Sequence, residues 1–174
     1  MLVNNSIRIR PIMLEDITIL NKWKNDHSVF RNLGGGFKPV SIDQQRNWMD
    51  NMIDMNGNNK RFIIEIKNGV PIGMVGLYNI NHINRNCEFG IYIGEKEHNG
   101  KGYGTSATEL MLDFAFNNLN LNKIKLLVNE GNPAINLYKR LKFNQVGKMS
   151  QERFIDGEYV DVIIMEKLKD ECDI

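Results

Sequence analysis

The residue pattern with the clearest chemical meaning is a glycine-rich segment, Glu97-His98-Asn99-Gly100-Lys101-Gly102-Tyr103-Gly104-Thr105. Three glycines at alternate positions allow a ligand to approach the backbone closely, and the apolar residues that follow at helical spacing predict a helix behind them. The free N–H groups and the dipole at a helix N-terminus favour a bound phosphate. The spacing matches neither GxxxxGK[ST] nor GxGxxG, and a tight strand-to-helix connection is the alternative interpretation.

A second segment reads Asn132-Pro133-Ala134-Ile135-Asn136-Leu137-Tyr138-Lys139-Arg140-Leu141-Lys142-Phe143. Asn at the N-cap and Pro at the first helical position predict the start of a short helix. Together with the glycine turn, residues 99–105, this segment resembles the acyl-CoA-binding signature of the GNAT superfamily of N-acetyltransferases. The resemblance covers nearly the whole chain in element order and is strongest from Glu88 to Met165. Residues 81–104 and 147–165 resemble the branch that acetylates polyamines, ribosomal-protein N-termini and amino sugars.

The resemblance implies a ternary complex in which an amine attacks the thioester of acetyl-CoA directly. That reaction needs a neutral amine, an oxyanion site and an acid for the departing thiolate. The pyrophosphate is expected on the backbone N–H groups of the glycine turn, and the thioester beside the strand around Phe89 to Ile93, with a backbone N–H of Ile91 or Tyr92 polarising its carbonyl. The implied cofactor-binding residues are Phe89, Ile91, Tyr92, Ile93, Asn99, Gly100, Lys101, Gly102, Tyr103, Gly104, Thr105 and Asn132.

Tyr138 stands at the position of the general acid in this family. A tyrosine of pKa about 10 has limited driving force to protonate a thiolate whose acid has a pKa of about 8.5, so the contact must be close. The alternative is a half-buried aromatic residue on the helix face shared with Ala134 and Leu141. Asn132 has two compatible roles, since it can start the helix and also make the family's hydrogen bond to the pantetheine arm.

Glu88 is the leading candidate for a base or an amine-orienting carboxylate. It begins the strand at the implied reaction centre and alternates onto the same face as Tyr92. An amine of pKa about 10 arrives protonated at pH 7, so a carboxylate acting directly or through water would help to deprotonate it. A solvent-exposed carboxylate or an ion pair with Arg85 is the alternative, and Asp161 is a second acidic candidate.

Two positions depart from the family pattern. Asn99 stands where Gln or Arg is usual, which removes a side-chain contact but leaves the backbone N–H groups of the loop. Lys142 stands where Gly is usual, at a helix end where Gly would relieve strain. Neither change removes the implied binding chemistry.

The acceptor side is expected in the least regular parts of the chain: the two early helices, residues 31–40 and the last hairpin. The aromatic residues there either wall an acceptor pocket or pack the helices onto the sheet; they are Trp23, Phe30, Phe37 and Trp48. Gly34 to Gly36 is either a mobile lid or a flexible loop. The three histidines are isolated, with no metal-ligand spacing, and no metal is expected.

The composition is that of an ordinary globular protein. The 174 residues include 22 Lys and Arg against 21 Asp and Glu, a net charge of +1, and 42% are hydrophobic. This balance argues against gripping nucleic acid or an anionic membrane by bulk charge. The absence of an acidic surplus favours a sugar or peptide amine over a polyamine, although a single pocket with Glu88 would suffice for a polyamine. Two distant cysteines and the lack of a signal or membrane-span pattern predict a soluble cytoplasmic protein.

The hydrophobic pattern predicts the element order β-α-α-β-β-β-α-β-α-β-β. Hairpins are indicated at Asn68-Gly69 and Asp156-Gly157, and a capping box, Ser41 with Gln44, starts the second helix. The fold class is therefore α/β (α+β), with a mixed, mostly antiparallel sheet of about seven strands flanked by about four helices. No linker or repeat divides residues 1–174, which we interpret as a single GNAT domain.

These observations predict an acetyl-CoA-dependent N-acetyltransferase that acts on a primary amine of a small molecule. Polyamines and amino sugars, including nucleotide-linked ones, are the favoured acceptors, and no nucleic-acid or membrane partner is expected. N-terminal protein acetylation is the alternative within the enzyme class. A non-catalytic acyl-CoA-binding module is the alternative outside it, and the retention of Tyr138, Asn132 and the glycine turn argues against it. The resemblance also leads us to expect a homodimer.

Overall fold

The computed structural model describes residues 1–34 and 36–169, which form one eight-stranded sheet with helices on both faces. The strands are β1 (Leu2–Val3), β2 (Ile7–Pro11), β3 (Lys60–Ile66), β4 (Pro71–Asn81), β5 (Asn86–Ile93), β6 (Lys123–Asn129), β7 (Asn144–Ile155) and β8 (Glu158–Leu168). The helices are α1 (Ile17–Lys24), α2 (His27–Phe30), α3 (Ile42–Ile53), α4 (Tyr103–Asp113) and α5 (Ala134–Arg140). Short 3-10 turns precede α1 and the glycine turn, and a π-helical turn, Phe114–Asn118, extends α4.

The predicted fold class and element order are confirmed. The strand order is β1-β2-β3-β4-β5-β6-β8-β7, and within the described residues the sheet is antiparallel except between β5 and β6. The two elements that the pattern does not predict are β1 and α2, of two and four residues, which are too short to show a period. No helix in the described part of the chain is both long and apolar enough to cross a membrane.

Side-chain alternation along the strands builds two cores, one on each face of the sheet. The helices α1 and α3 cover the first face, where Trp23, Met49 and Ile63 are buried. The helix α4 and its π-helical turn cover the second face together with α5, and Met111 and Ile124 are buried there. Strand β5 contributes side chains to both cores, because its successive side chains point to opposite faces, in agreement with the predicted alternation.

The parallel pair β5–β6 is short, and this opens the sheet. Pairing joins only Asn86, Cys87 and Glu88 to Lys123, Ile124 and Lys125. Among the described residues, β5 continues beyond Glu88 to Ile93 paired with β4 alone, and β6 continues to Asn129 paired with β8 alone. One backbone edge of each strand is therefore left without a strand partner, and the sheet is divided into two halves at this point.

Candidate active site

A cleft of about 710 Å³ lies where β5 and β6 separate. Its walls come from the free parts of both strands, the glycine turn with the start of α4, the helix α5, the loop after α2, and β7. The structure brings together all but one of the predicted site residues here, and Lys101 is the exception. The predicted residues that line the cleft are Glu88, Phe89, Ile91, Tyr92, Ile93, Asn99, Gly100, Gly102, Tyr103, Gly104, Thr105, Asn132 and Tyr138.

The glycine turn presents a row of free backbone donors to the cleft. Gly100 and Gly102 have φ of +74° and +83°, a conformation that residues with side chains adopt at a cost, and α4 begins directly afterwards at Tyr103. None of the N–H groups of residues 100–105 donates a hydrogen bond to another described residue. Consecutive free donors at the start of a helix form an anion site, so this geometry favours the phosphate-binding interpretation over a plain connection.

His98 and Thr108 brace this turn. The His98 ring packs on Tyr103 with 5.7 Å between ring centroids, and Oγ1 of the buried Thr108 donates to the Gly104 carbonyl at 2.7 Å. These contacts fix the start of α4 relative to the rest of the turn.

Tyr138 faces the cleft from α5, and only 7% of the residue is exposed. Its ring packs edge-on against Phe89 and Phe143, with centroids 6.4 and 5.7 Å away. Burial raises the pKa of the Tyr138 hydroxyl to about 12. That hydroxyl makes no hydrogen bond within residues 1–34 and 36–169, yet it is not enclosed by protein. Tyr138 therefore packs against its aromatic neighbours, and its protonated hydroxyl remains available as a donor in the cleft.

Glu88 is half-buried at the point where β5 and β6 part. Its carboxylate has no hydrogen-bond or ion-pair partner in the described part of the chain. The alternative of an ion pair with Arg85 is wrong, because the Arg85 guanidinium donates to the Asn120 carbonyl and side-chain oxygens at 2.8 and 2.7 Å. Glu88 is thus an uncommitted carboxylate in the cleft.

Asp161 does not line this cleft. Its carboxylate pairs with Lys148 Nζ at 2.8 Å and accepts the backbone N–H of Gln151, also at 2.8 Å. These contacts, the one to Lys148 first, lower the pKa of Asp161. The second acidic candidate therefore has a structural role in the β7–β8 hairpin.

The two motif positions around α5 behave as the sequence predicts. Asn132 Oδ1 accepts the backbone N–H of Ala134 at 2.9 Å, which caps the helix, while the residue also lines the cleft. Lys142 follows the helix with φ of +61°, in the left-handed region where Gly is usual. The expected strain at this departure from the family pattern is present in the backbone.

Sequence reasoning missed a polar cluster in the cleft, formed by Arg153, Asn129 and Asn32. Arg153 Nη1 donates to Asn129 Oδ1 at 2.5 Å, and Asn129 Nδ2 donates to the Asn32 carbonyl at 3.2 Å. Asn129 carries a usable signal, since it is a polar residue directly after the buried strand Ile124–Val128. Arg153 carries none, because a register shift between Met149 and Arg153 decides its direction. Tyr78 also lines the cleft beside Glu88, its strand partner.

The four aromatic residues predicted to wall an acceptor pocket or to pack the helices onto the sheet lie in different surroundings, and the acceptor-pocket role stays a prediction. Trp23 is fully buried and donates Nε1–H to Glu95 at 2.8 Å, so it belongs to the core. Phe30 and Trp48 line a separate cavity of about 350 Å³, and Phe37 lines one of about 290 Å³. Gly35 lies outside the described residues, and a lid at Gly34 to Gly36 stays a prediction.

No group of three or more His, Cys, Asp and Glu side chains within residues 1–34 and 36–169 is arranged to hold a metal ion. His27 instead binds Asp156, with 2.9 Å between Nε2 and Oδ1. Cys87 is buried, and burial raises the pKa of its thiol to about 12, which makes it unreactive. Cys172 lies outside the described residues.

A sheet divided between two parallel strands, an anion-binding turn and a tyrosine directed at the gap define an acyl-CoA-dependent N-acetyltransferase. The model of the acetyltransferase (GNAT) domain matches residues 6–144, and the chain belongs to this family. The spermidine N(1)-acetyltransferase of Escherichia coli K12 is 33% identical over 162 residues, covering 92% of this chain and 85% of that protein.

Two further similarities bear on the acceptor. A crystal structure of spermidine N-acetyltransferase from Vibrio cholerae, in complex with CoA and spermine, superposes with a TM-score of 0.88 at 32% identity and covers 95% of this chain and 97% of that one. A protein of Bacillus subtilis described as a putative ribosomal N-acetyltransferase is 28% identical over 177 residues, covering 97% of this chain and 94% of that protein. The predicted family and activity class are confirmed.

Proposed function

We propose that this protein transfers the acetyl group of acetyl-CoA to a primary amine of a small molecule by direct attack in a ternary complex. The observation that carries this proposal is the shared cleft: free N–H groups of the glycine turn, the unpaired edge of β5 and the Tyr138 hydroxyl all face it. Each supplies one need of the reaction, namely anion binding, carbonyl polarisation and protonation of the leaving thiolate.

The cleft fits acetyl-CoA as co-substrate. The N–H groups of residues 100–105 would hold the pyrophosphate, and Asn132 retains its side-chain N–H₂ for the pantetheine amide. The free edge of β5 between Phe89 and Ile93 would position the thioester, with a backbone N–H of Ile91 or Tyr92 on its carbonyl oxygen. Of the predicted cofactor-binding residues Lys101 alone does not line the cleft, and we propose that it contributes through its backbone N–H.

Glu88 is proposed to accept the amine proton, directly or through water. We predict that Glu88→Gln lowers kcat/KM for the amine about 10- to 100-fold near pH 7, because the incoming amine is then deprotonated only by solvent. The loss of kcat/KM in Glu88→Gln is expected to become smaller as the pH approaches the pKa of the free amine, about 10. Steady-state kinetics from pH 6.5 to 10 measure both effects.

Glu97→Gln is the matched control for this substitution. Glu97 is an exposed residue in the 3-10 turn before the glycine turn and does not line the cleft. Unchanged kcat/KM in Glu88→Gln, or an equal loss in Glu97→Gln, would remove Glu88 from this role.

Polyamines and amino sugars are the proposed acceptors. The relatives from E. coli and V. cholerae are spermidine acetyltransferases, which supports a polyamine. N-terminal protein acetylation is the second candidate, and the B. subtilis relative supports it. A non-catalytic acyl-CoA-binding module would have no use for a protonated Tyr138 hydroxyl held free in the cleft.

The experiment that tests the proposed function is a panel of amines with acetyl-CoA, read by release of free thiol. We expect turnover with at least one small primary amine, and acetyl-CoA should raise the melting temperature of the protein. Thermal stabilisation without thiol release from any amine would favour the binding module. Turnover confined to peptide N-termini would favour the second candidate.

We further propose that residues 1–174 form one domain, since β7 and β8, beyond the family-model match, complete the same sheet by pairing with β6. A cytoplasmic location, a homodimer, and the absence of metal, membrane and nucleic-acid partners stay predictions.

A further inference from the structure

Arg153 is a cation in the cleft that the transfer chemistry does not use. Its guanidinium is partly buried, and its one hydrogen bond within residues 1–34 and 36–169 goes to the neutral side chain of Asn129. Burial lowers the pKa of Arg153 more than the charge of the neighbouring Glu152 raises it, and no carboxylate in that part of the chain forms an ion pair with the guanidinium. A charge removed from water without a counter-ion is unfavourable, and a bound anion would offset that cost.

The backbone holds Arg153 in this place. The register of β7 against β8 shifts between Met149 and Arg153, Gln151 within the shift has φ of +53°, and its N–H is held by Asp161. Such a bulge redirects the side chains that follow it. Arg153 also packs on the loop after α2, since a Cβ at Gly34 would lie only 3.2 Å from Nη2. The guanidinium is therefore positioned by structure rather than free at the surface.

The cavities beside the cleft contain further basic residues. The cavity of about 350 Å³ shares Tyr92 with the cleft and contains Lys24 and Arg61. The cavity of about 290 Å³ shares Arg153 with the cleft and contains Lys38, and it also contains Glu152. None of these three cations forms an ion pair with a described carboxylate, whereas Glu88 is the acidic residue that lines the cleft. An acceptor in the cleft would thus meet the Glu88 carboxylate where β5 and β6 part, and more basic than acidic groups beyond it.

We propose that Arg153, held by Asn129, binds a carboxylate or phosphate group of the acceptor, so that the acceptor is a primary amine that carries an anion. This inference rests on the proposed function. The planar guanidinium matches the paired oxygens of either group, and its charge disfavours a second ammonium group at the same place. An amino acid, an amino-sugar phosphate or a nucleotide-linked amino sugar fits this arrangement, whereas a linear polyamine brings further positive charges to Arg153.

The test uses pairs of amines that differ by one anionic group: glucosamine 6-phosphate against glucosamine for phosphate, and lysine against 1,5-diaminopentane for carboxylate. In at least one pair we expect kcat/KM to be about 10- to 100-fold higher for the anion-bearing member, the range of a charged hydrogen-bonded pair. In Arg153→Met this ratio should fall close to one, while the Kd of CoA stays within about twofold. Arg46→Met, an exposed position on α3, is the control and should keep the ratio.

Calorimetric titration of the CoA-saturated protein with the same pairs supplies a readout that does not need turnover. Preferential binding of an anion-bearing member, lost in Arg153→Met, supports the inference even if no amine releases thiol. In that case the proposed function is contradicted and the inference is not. Turnover or binding without preference for the anion overturns the inference, as does the absence of binding and turnover for both anion-bearing amines. An Arg153→Met variant that weakens CoA binding as much as acceptor binding would assign Arg153 to the cofactor and also overturn it.

Discussion

Tyr138→Phe is expected to lower kcat about 100- to 1000-fold, the usual contribution of a positioned general acid, while the Kd of acetyl-CoA changes less than about twofold. The substitution removes a hydroxyl that has no hydrogen-bond partner among the described residues, and it keeps the ring that packs on Phe89 and Phe143. The fold therefore loses little, and the departing thiolate loses its proton donor.

The direction of the Tyr138 pKa shift explains how this acid would work. A phenol whose pKa is about 12 would protonate a thiolate of pKa about 8.5 uphill by about 5 kcal/mol. The apolar surroundings that raise the pKa of Tyr138 also raise that of a thiol beside it, since both anions lose solvation. The transfer is thus expected to coincide with C–S cleavage rather than to precede it.

The same shift predicts the pH profile. The folded-state pKa of about 12 keeps Tyr138 protonated at every pH below it, so kcat should show no loss of the acid between pH 7 and 10. Kinetics of the wild type, Tyr138→Phe and Tyr159→Phe over this range test both points, since Tyr159 is 66% exposed on the last hairpin and does not line the cleft. An unchanged kcat in Tyr138→Phe, or an alkaline loss centred below pH 10 that Tyr138→Phe abolishes, would contradict the assignment.

Gly102→Ala is expected to weaken acetyl-CoA binding at least about tenfold, which corresponds to about 1.4 kcal/mol. Gly102 is the N-cap of α4 with φ of +83°, where an L side chain costs about 1–2 kcal/mol. A Cβ there meets nothing within 4 Å in the protein, so in the native conformation it would stand in the open space where the anion approaches the N–H groups. If the backbone relaxed this strain instead, those N–H groups would turn away from the anion. Either response weakens anion binding at the glycine turn.

Gly69→Ala separates backbone strain from loss of the site. Gly69 has φ of +79° in the β3–β4 hairpin, a Cβ added there would meet nothing within 4 Å, and the residue does not line the cleft. Both variants should lower the melting temperature to a similar extent, and only Gly102→Ala should weaken CoA binding in a calorimetric titration. Equal Kd values of CoA for Gly102→Ala and the wild type, or an equal loss of CoA affinity in Gly102→Ala and Gly69→Ala, would contradict the assignment of the glycine turn as the anion site.

The parts of the site that the sequence predicts are those encoded by short-range interactions. The glycine turn, the Asn132 cap and the position of Tyr138 on α5 depend on residues within about one or two helical turns of each other. Backbone φ preferences, capping and side-chain periodicity act over this range. Of the two elements missed, β1 has only two residues and shows no period, and α2 contacts the β7–β8 hairpin through His27 and Asp156, which are 129 positions apart in the sequence.

Taken alone, the sequence determined the fold class and the family resemblance. It also determined which side chains of β5 share a face of the sheet, because alternation places Glu88 and Phe89 on opposite faces. Only the tertiary structure decided that β5 and β6 part after Glu88, that Arg85 is bound to Asn120 instead of Glu88, and that Arg153 turns to Asn129 in the cleft. These features depend on strand register and on side-chain contacts between residues 24 and 35 positions apart. Hydrophobic periodicity carries no record of such contacts, since a register shift of two residues keeps every side chain on the same face of the sheet.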